Sequence, residues 1–328
     1  MAWASGVDVV PNEEESSVEE SVAQPVPYTQ SDLLNEAVAL RRVGAFSDAE
    51  SFLTRAAERD EGFSEQVQYQ IGVLYEVQEQ WSKAVEVYAV ISEQWPDTAT
   101  ASDARFRRAY CLEELGLHKE SIAAVKGLQA DGRWSVDDTR TMSLQRGIAE
   151  IQAGRERKGI RRILTNLSNG QDDRTWIRAK ARLALVRAQV AAAQQIVLKG
   201  DRKAARRLKQ RSALISAAEN QAIVMFNLGE PEFALEGLLL LGDAYLQLYE
   251  DMLSYPPPRS IEPENHVLYR EAVREKASIL RSKAHARYDE GVRVAARTQW
   301  VGSVTQRLTE KRDAISDVEV KDQSDGSP

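Results

Sequence analysis

The sequence predicts an all-α protein. A right-handed α-solenoid of helix hairpins over residues 30–170 is followed by a module of long helices over 171–315. Three observations carry this expectation. Ile71, Gly72, Tyr75, Trp81, Ala84, Tyr88, Ile91 and Pro96 stand at the spacings that two helices packed as an antiparallel hairpin require. Small residues let the helices approach, large ones fill the space between them, and the proline stops the second helix. Runs of alternating polarity rich in Val, Ile and Thr are absent outside the N-terminal stretch, so strands are not expected. Past Arg174 the helical runs lengthen and are separated by sharp breaks.

Residues 1–29 are rich in Glu, Ser, Val and Pro and contain no Lys or Arg. Such a segment cannot build a core and is expected as an acidic tail. Ser31 and Asp32 then offer an N-cap for a first helix. Ala37, Leu40, Gly44, Phe46, Ala49, Leu53 and Ala56 begin the hairpin pattern, and the stretch around Gly72 repeats it. Ala109, Leu112, Gly116, Ser121, Val125 and Leu128 repeat it again. Gly147, Gly154, Gly159 and Ile163 form a degenerate fourth copy, in which a mid-helix glycine costs about 1 kcal/mol.

A period of about 34 residues with these residue types resembles the tetratricopeptide repeat (TPR) family. The resemblance implies stacked hairpins that hold other proteins or peptide segments and rarely carry chemistry. It also implies that the first helix of each repeat lines a concave groove. Leu34, Val38, Tyr69, Val73, Phe106 and Tyr110 would then form an apolar, aromatic floor for a partner. The alternative is a groove filled by the chain itself, by the acidic tail or Trp134. Leu34 and Val38 stand where TPR proteins that clamp a C-terminal carboxylate carry Lys and Asn, so the resemblance does not extend to that clamp.

The long helices are expected at about 174–198, 202–226, 231–254 and 263–298, broken at Lys199-Gly200-Asp201, Asn227–Pro231 and Pro256-Pro257-Pro258. Leu268, Val273, Ala277, Leu280, Ala284, Tyr288, Val292 and Ala295 form one stripe, suited to pack against Leu238–Leu241, Tyr245, Leu248 and Tyr249. Homodimerisation through this surface is the alternative. A last helix is expected over Trp300–Ile315, then a second acidic tail over 316–328. Residues 155–211 hold seventeen Lys and Arg against four acidic residues, with Trp176 the one interleaved aromatic. Arg178, Arg182, Arg206 and Arg207 are the expected heart of a basic patch open to an anionic partner. Nucleic acid is not expected there, because stacking residues are missing.

Chemistry is not expected. No phosphate loop, dinucleotide fingerprint, nucleophile elbow or zinc-protease motif occurs, so the reading is a non-enzyme without cofactor or metal. His285 and Asp289 read as a solvated helical pair, and Cys111 as a buried thiol. No apolar run is long enough to span a membrane. Ala2-Trp3-Ala4 before Ser5 has the form of a signal-peptidase site, which leads to the expectation of export with a leader lost upstream; a chance match in a cytoplasmic protein is the alternative. The step Trp95-Pro96-Asp97-Thr98, followed by the Ala-rich helix of Phe106 and Tyr110, resembles TPR proteins of the bacterial cell envelope. These are of the outer-membrane assembly and Tol-associated periplasmic kinds, and the C-terminal half resembles gliding-motility proteins. The expected role is therefore a scaffold of the envelope or periplasm, with a cytoplasmic co-chaperone or adaptor as the alternative.

Overall fold

The computed structural model describes residues 29–324, apart from 43, 60–63, 133, 168–173, 199–202 and 259–260, with side chains described through Ser316. Among these residues every regular element is helical. Four short hairpins come first. They pair α1 (Gln30–Arg42) with α2 (Phe46–Ala57), α3 (Glu65–Val77) with α4 (Trp81–Gln94), α5 (Ala99–Glu114) with α6 (His118–Ala130), and α7 (Val136–Gln152) with α8 (Glu156–Asn166). Two longer hairpins follow, α9 (Thr175–Gln194) with α10 (Ala204–Phe226) and α11 (Pro231–Leu253) with α12 (His266–Thr298); α13 (Ser303–Ser324) packs onto the last. The solenoid of short hairpins followed by long helices is as the sequence predicts. The N-terminal expectations for residues 1–28 and the Gly200–Asp201 junction lie outside the described residues.

The start of α1 differs from expectation. Thr29 is the cap: its hydroxyl accepts from the Asp32 N–H at 3.1 Å, and Asp32 Oδ2 accepts from the Thr29 N–H at 2.9 Å. A carboxylate at the third helical position reaches back to the residue before the helix, which completes a reciprocal capping box. The Thr29 hydrogen bonds hold the Asp32 carboxyl below its usual range.

One register runs through the short hairpins. Ala37, Gly72, Ala109 and Gly147 of the first helices lie in the same packed layers as Leu53, Tyr88, Val125 and Ile163 of the second. Ser121, where the first two copies have alanine and the fourth has Gly159, donates to the Ala109 carbonyl at 2.7 Å. The fourth copy is not degenerate. A β-carbon on Gly147 would lie 2.7 Å from Ile163 Cγ1, and one on Gly159 would lie 2.5 Å from the Gly147 carbonyl oxygen. The two glycines bring the backbones of α7 and α8 together, and that contact offsets their poor helix propensity. Each hairpin turns through one left-handed residue: Gly44, Gly116 and Gly154 at φ 80, 76 and 76, with Glu79 at φ 56 in the second.

Helix α9 is buried on nearly every face, its cations Arg178, Lys180 and Arg182 included. Ile177, Ala181, Ala184 and Leu185 join the core of α7 and α8, while Leu183, Val186, Val190 and Ala193 join that of α10 to α13. The stripe of α12 is buried against α11 from Ala277 to Ala295, within one chain, and is not available for dimerisation. Leu268 is not part of it and is 65% exposed. Counting outward from the contact of Gly242 with Tyr288, the end of α11 falls opposite Ala277, so the first turns of α12 run past their neighbour. The tail expected from residue 316 is also corrected. α13 continues to Ser324, docked by buried Leu308 and Ile315, because a helix once nucleated extends at little cost.

Candidate functional site

The first helices α3, α5, α7 and α9 neighbour one another along one face. Between α5, α7 and the start of α9 they leave a cavity of about 820 Å³, walled on one side by Glu76 of α3. Local sequence aims each wall. Thr98 caps α5, accepting from Ala101 N–H at 3.0 Å. Ser135 and Asp138 form the capping box that starts α7. Just before it, Trp134 is fixed by an indole N–H donated to the Leu128 carbonyl at 2.6 Å.

The floor is aromatic. Trp176, one residue inside α9, meets Phe106 with ring centroids 6.4 Å apart and Tyr110 with centroids 5.7 Å apart, both edge-on. Tyr110 also meets Trp81, 5.8 Å away. Edge-to-face packing of this kind holds large rings rigid.

One wall is a network of charges. Arg107 donates to Glu76 at 2.6 Å and to Asp103 at 2.9 Å, and its Nε also donates to the Tyr69 hydroxyl at 2.8 Å. The Tyr69 hydroxyl in turn donates to Asp103. Cys111 Sγ lies 3.4 Å from the other Glu76 oxygen. Burial pushes the Glu76 carboxyl up, with Arg107 opposing, and raises the Tyr69 phenol to about 12. Burial and the Glu76 charge raise the Cys111 thiol well above its usual range, which disfavours the thiolate. Across the cavity Arg174 pairs with Asp138 and donates to Thr141 at 3.1 Å. The Ser135 hydroxyl, and then Arg174, hold the Asp138 carboxyl low. Behind the floor, Lys180 is buried, pairs with Glu113 and Glu114, and sits 4.0 Å over the Tyr110 ring.

Of the six groove residues named from sequence, Phe106 and Tyr110 line the cavity. Tyr69 reaches the same network through its hydroxyl, and Val73 is buried on α3 and does not line the cavity. Leu34 and Val38 lie elsewhere, packed where α1, α2 and α3 meet. Trp134 lines the cavity without filling it. Trp176 was missed as a groove residue. Its position on the first helix of a hairpin was the available signal, but the surrounding cations drew it into the basic stretch.

That stretch is not one surface. Arg178 and Arg182 are only 9% and 7% exposed, since α9 is enclosed by α7, α10 and α11, and Arg182 donates to Gln221 at 2.6 Å. Arg206 is exposed and Arg207 half-buried on α10. Three further cations of the stretch or beside it, Arg146, Lys158 and Arg162, lie 3.3, 3.5 and 2.9 Å from the fully buried Glu150. His285 meets Ser316 at 3.1 Å in place of Asp289, which pairs with Arg293. Among the described residues no group of His, Cys, Asp and Glu could hold a metal ion, and no helix is long and apolar enough to cross a membrane.

No protein-family model matches the sequence, and no curated protein is similar to it. Solved structures that resemble it are helical-repeat proteins. PilW, titled a widely conserved type IV pilus biogenesis factor, is 13% identical, with 85% of this chain and 98% of PilW covered at a TM-score of 0.48. A tetratricopeptide repeat protein from Parabacteroides merdae ATCC 43184 is 12% identical, covering 88% of this chain and 98% of that one at 0.41. The TPR domain of P58(IPK) is 14% identical, covering 90% and 99% at 0.28. The assignment of this chain as TPR-like rests on its own hairpin register.

Proposed function

We propose that this protein is a non-catalytic scaffold that holds a peptide segment of a partner protein in the cavity between α5, α7 and α9. The observation that carries the reading is an open space of about 820 Å³ floored by Phe106, Tyr110 and Trp176 and edged by Trp134. Rigid aromatic rings offer large contact area at low entropic cost, which is why they dominate binding hot spots. Apart from Asp97, the charged groups around them pair with one another, an arrangement suited to orient a ligand and not to activate one. Residence in the bacterial cell envelope is the finer part of the proposal, supported by the resemblance carried by Trp95-Pro96-Asp97-Thr98; a cytoplasmic adaptor is the other reading.

Affinity purification of the full chain with chemical crosslinking tests the site. Partners crosslinked beside α5 and α7 in the wild type, and lost from the Phe106→Ala and Trp176→Ala variants with helicity retained, are the expected result. Partners retained by both variants would overturn the cavity as the site. Fractionation of cells expressing the tagged natural gene distinguishes envelope from cytoplasm.

A further inference from the structure

The walls of the cavity carry more negative than positive groups. Glu76, Asp97, Asp103 and Asp138 line it, against Arg107 and Arg174. Both guanidiniums are already engaged, Arg107 by Glu76 and Asp103 and Arg174 by Asp138. Lys180 does not reach the balance, because it lies beneath Tyr110 and is shared between Glu113 and Glu114. Asp97 is exposed and has no ion pair among the described residues, and the Asp103 side chain is 49% exposed. An entering ligand therefore meets two carboxylates in excess of the cations.

We infer that the segment taken by the cavity is basic, with an apolar residue on Phe106 and Trp176 and lysine or arginine side chains directed to Asp97 and Asp103. This rests on the cavity being the partner site. Charge complementarity favours this occupant over an acidic one, since a carboxylate brought into the same space would be held against its own sign beside apolar walls that screen poorly. The two tryptophans of the lining, Trp134 and Trp176, favour it too, as indole is the best aromatic acceptor of a cation.

The test uses the full chain and labelled synthetic peptides of equal length. Each has the same Leu and Phe content, with either Lys or Glu at the remaining positions, and binding is read by fluorescence anisotropy. The Lys peptide is expected to bind at least about tenfold more tightly than the Glu peptide, and less tightly as salt is raised. In the variant Asp97→Lys with Ser102→Lys, which alters exposed or half-exposed lining without touching a core residue, that preference is expected to vanish or reverse. Equal binding of both peptides that is lost in Phe106→Ala would overturn the basic preference and leave the cavity as the site. Binding unaffected by Phe106→Ala and Trp176→Ala, or no binding of either peptide, would overturn both.

Discussion

Gly72 of α3 sits against the ring of Tyr88 in α4 so closely that a β-carbon there would lie 2.6 Å from Tyr88 Cε1. The same relationship recurs between α11 and α12, where a β-carbon on Gly242 would lie 2.2 Å from Tyr288 Cε1. A missing side chain on one helix thus makes room for a fully buried tyrosine on the next, in a short hairpin and in a long one.

Gly72→Ala and Gly242→Ala are each expected to destabilise the protein by about 1–3 kcal/mol through overpacking, read from urea midpoints. Gly127→Ala is the contrast. It lies in α6 with nothing within 4 Å of a β-carbon. There the better helix propensity of alanine is expected to add about 0.5–1 kcal/mol. Loss of stability in all three would mean that propensity and packing have been misattributed.

Glu79 holds the left-handed turn between α3 and α4, where the other short hairpins described use glycine. Its N–H donates to the Glu76 carbonyl at 2.9 Å, the same closure that Gly116 makes to Glu113. Glu79→Gly is expected to stabilise by about 1 kcal/mol, because a side chain in that conformation crowds its own carbonyl. Thermal unfolding of the single variant checks it.

The buried Glu150 carries the clearest pH dependence. Burial alone would raise its carboxyl, but Arg162, Lys158 and Arg146 outweigh it and hold the group below the usual carboxylate range. A folded-state value lower than the unfolded one contributes stability that is full above the unfolded value of a glutamate and is lost as pH falls through the folded one. Wild type is therefore expected to weaken on acidification below about pH 5. Glu150→Gln is expected to be weaker by about 3 kcal/mol at neutral pH, since three cations lose their shared anion, and to change less on acidification. Urea titrations at neutral and acid pH separate the two curves.

Lys180 and Arg206 belong to the same basic stretch of sequence and differ in surroundings. Lys180→Met strands the buried Glu113 and is expected to cost about 3 kcal/mol. Arg206→Ala, on the exposed face of α10, is expected to change stability by less than about 0.5 kcal/mol. Equal losses at the two positions would contradict the burial of α9.

Much of the architecture was legible because hairpin packing writes itself as local spacing. Ala37, Gly72 and Ala109 mark close approaches within one repeat, and the breaks at Gly229-Glu230-Pro231 and the triple proline are chemical stops. The site was legible at Phe106 and Tyr110, which follow that register. Trp134 was expected only as a filler of the groove, and the site was not legible at Trp176, which reaches the cavity from a later hairpin. Nor did the charges of α9 announce their burial. Lys180 finds Glu113 across 67 positions of sequence, and no local pattern records such a partner. Gly147 and Gly159 misled for a related reason: propensity counts what a residue does to its own helix, whereas these two act on each other.

A solenoid whose repeats touch only their neighbours can lose its ends one at a time. Helix α9 limits that freedom in the middle of the chain, because its residues complete the core of α7 and α8 on one side and that of α10 to α13 on the other. Pulling it away would open both cores together. From α7 onward the chain should accordingly melt as one cooperative unit, with the amide hydrogens of α9 among the last to exchange with solvent.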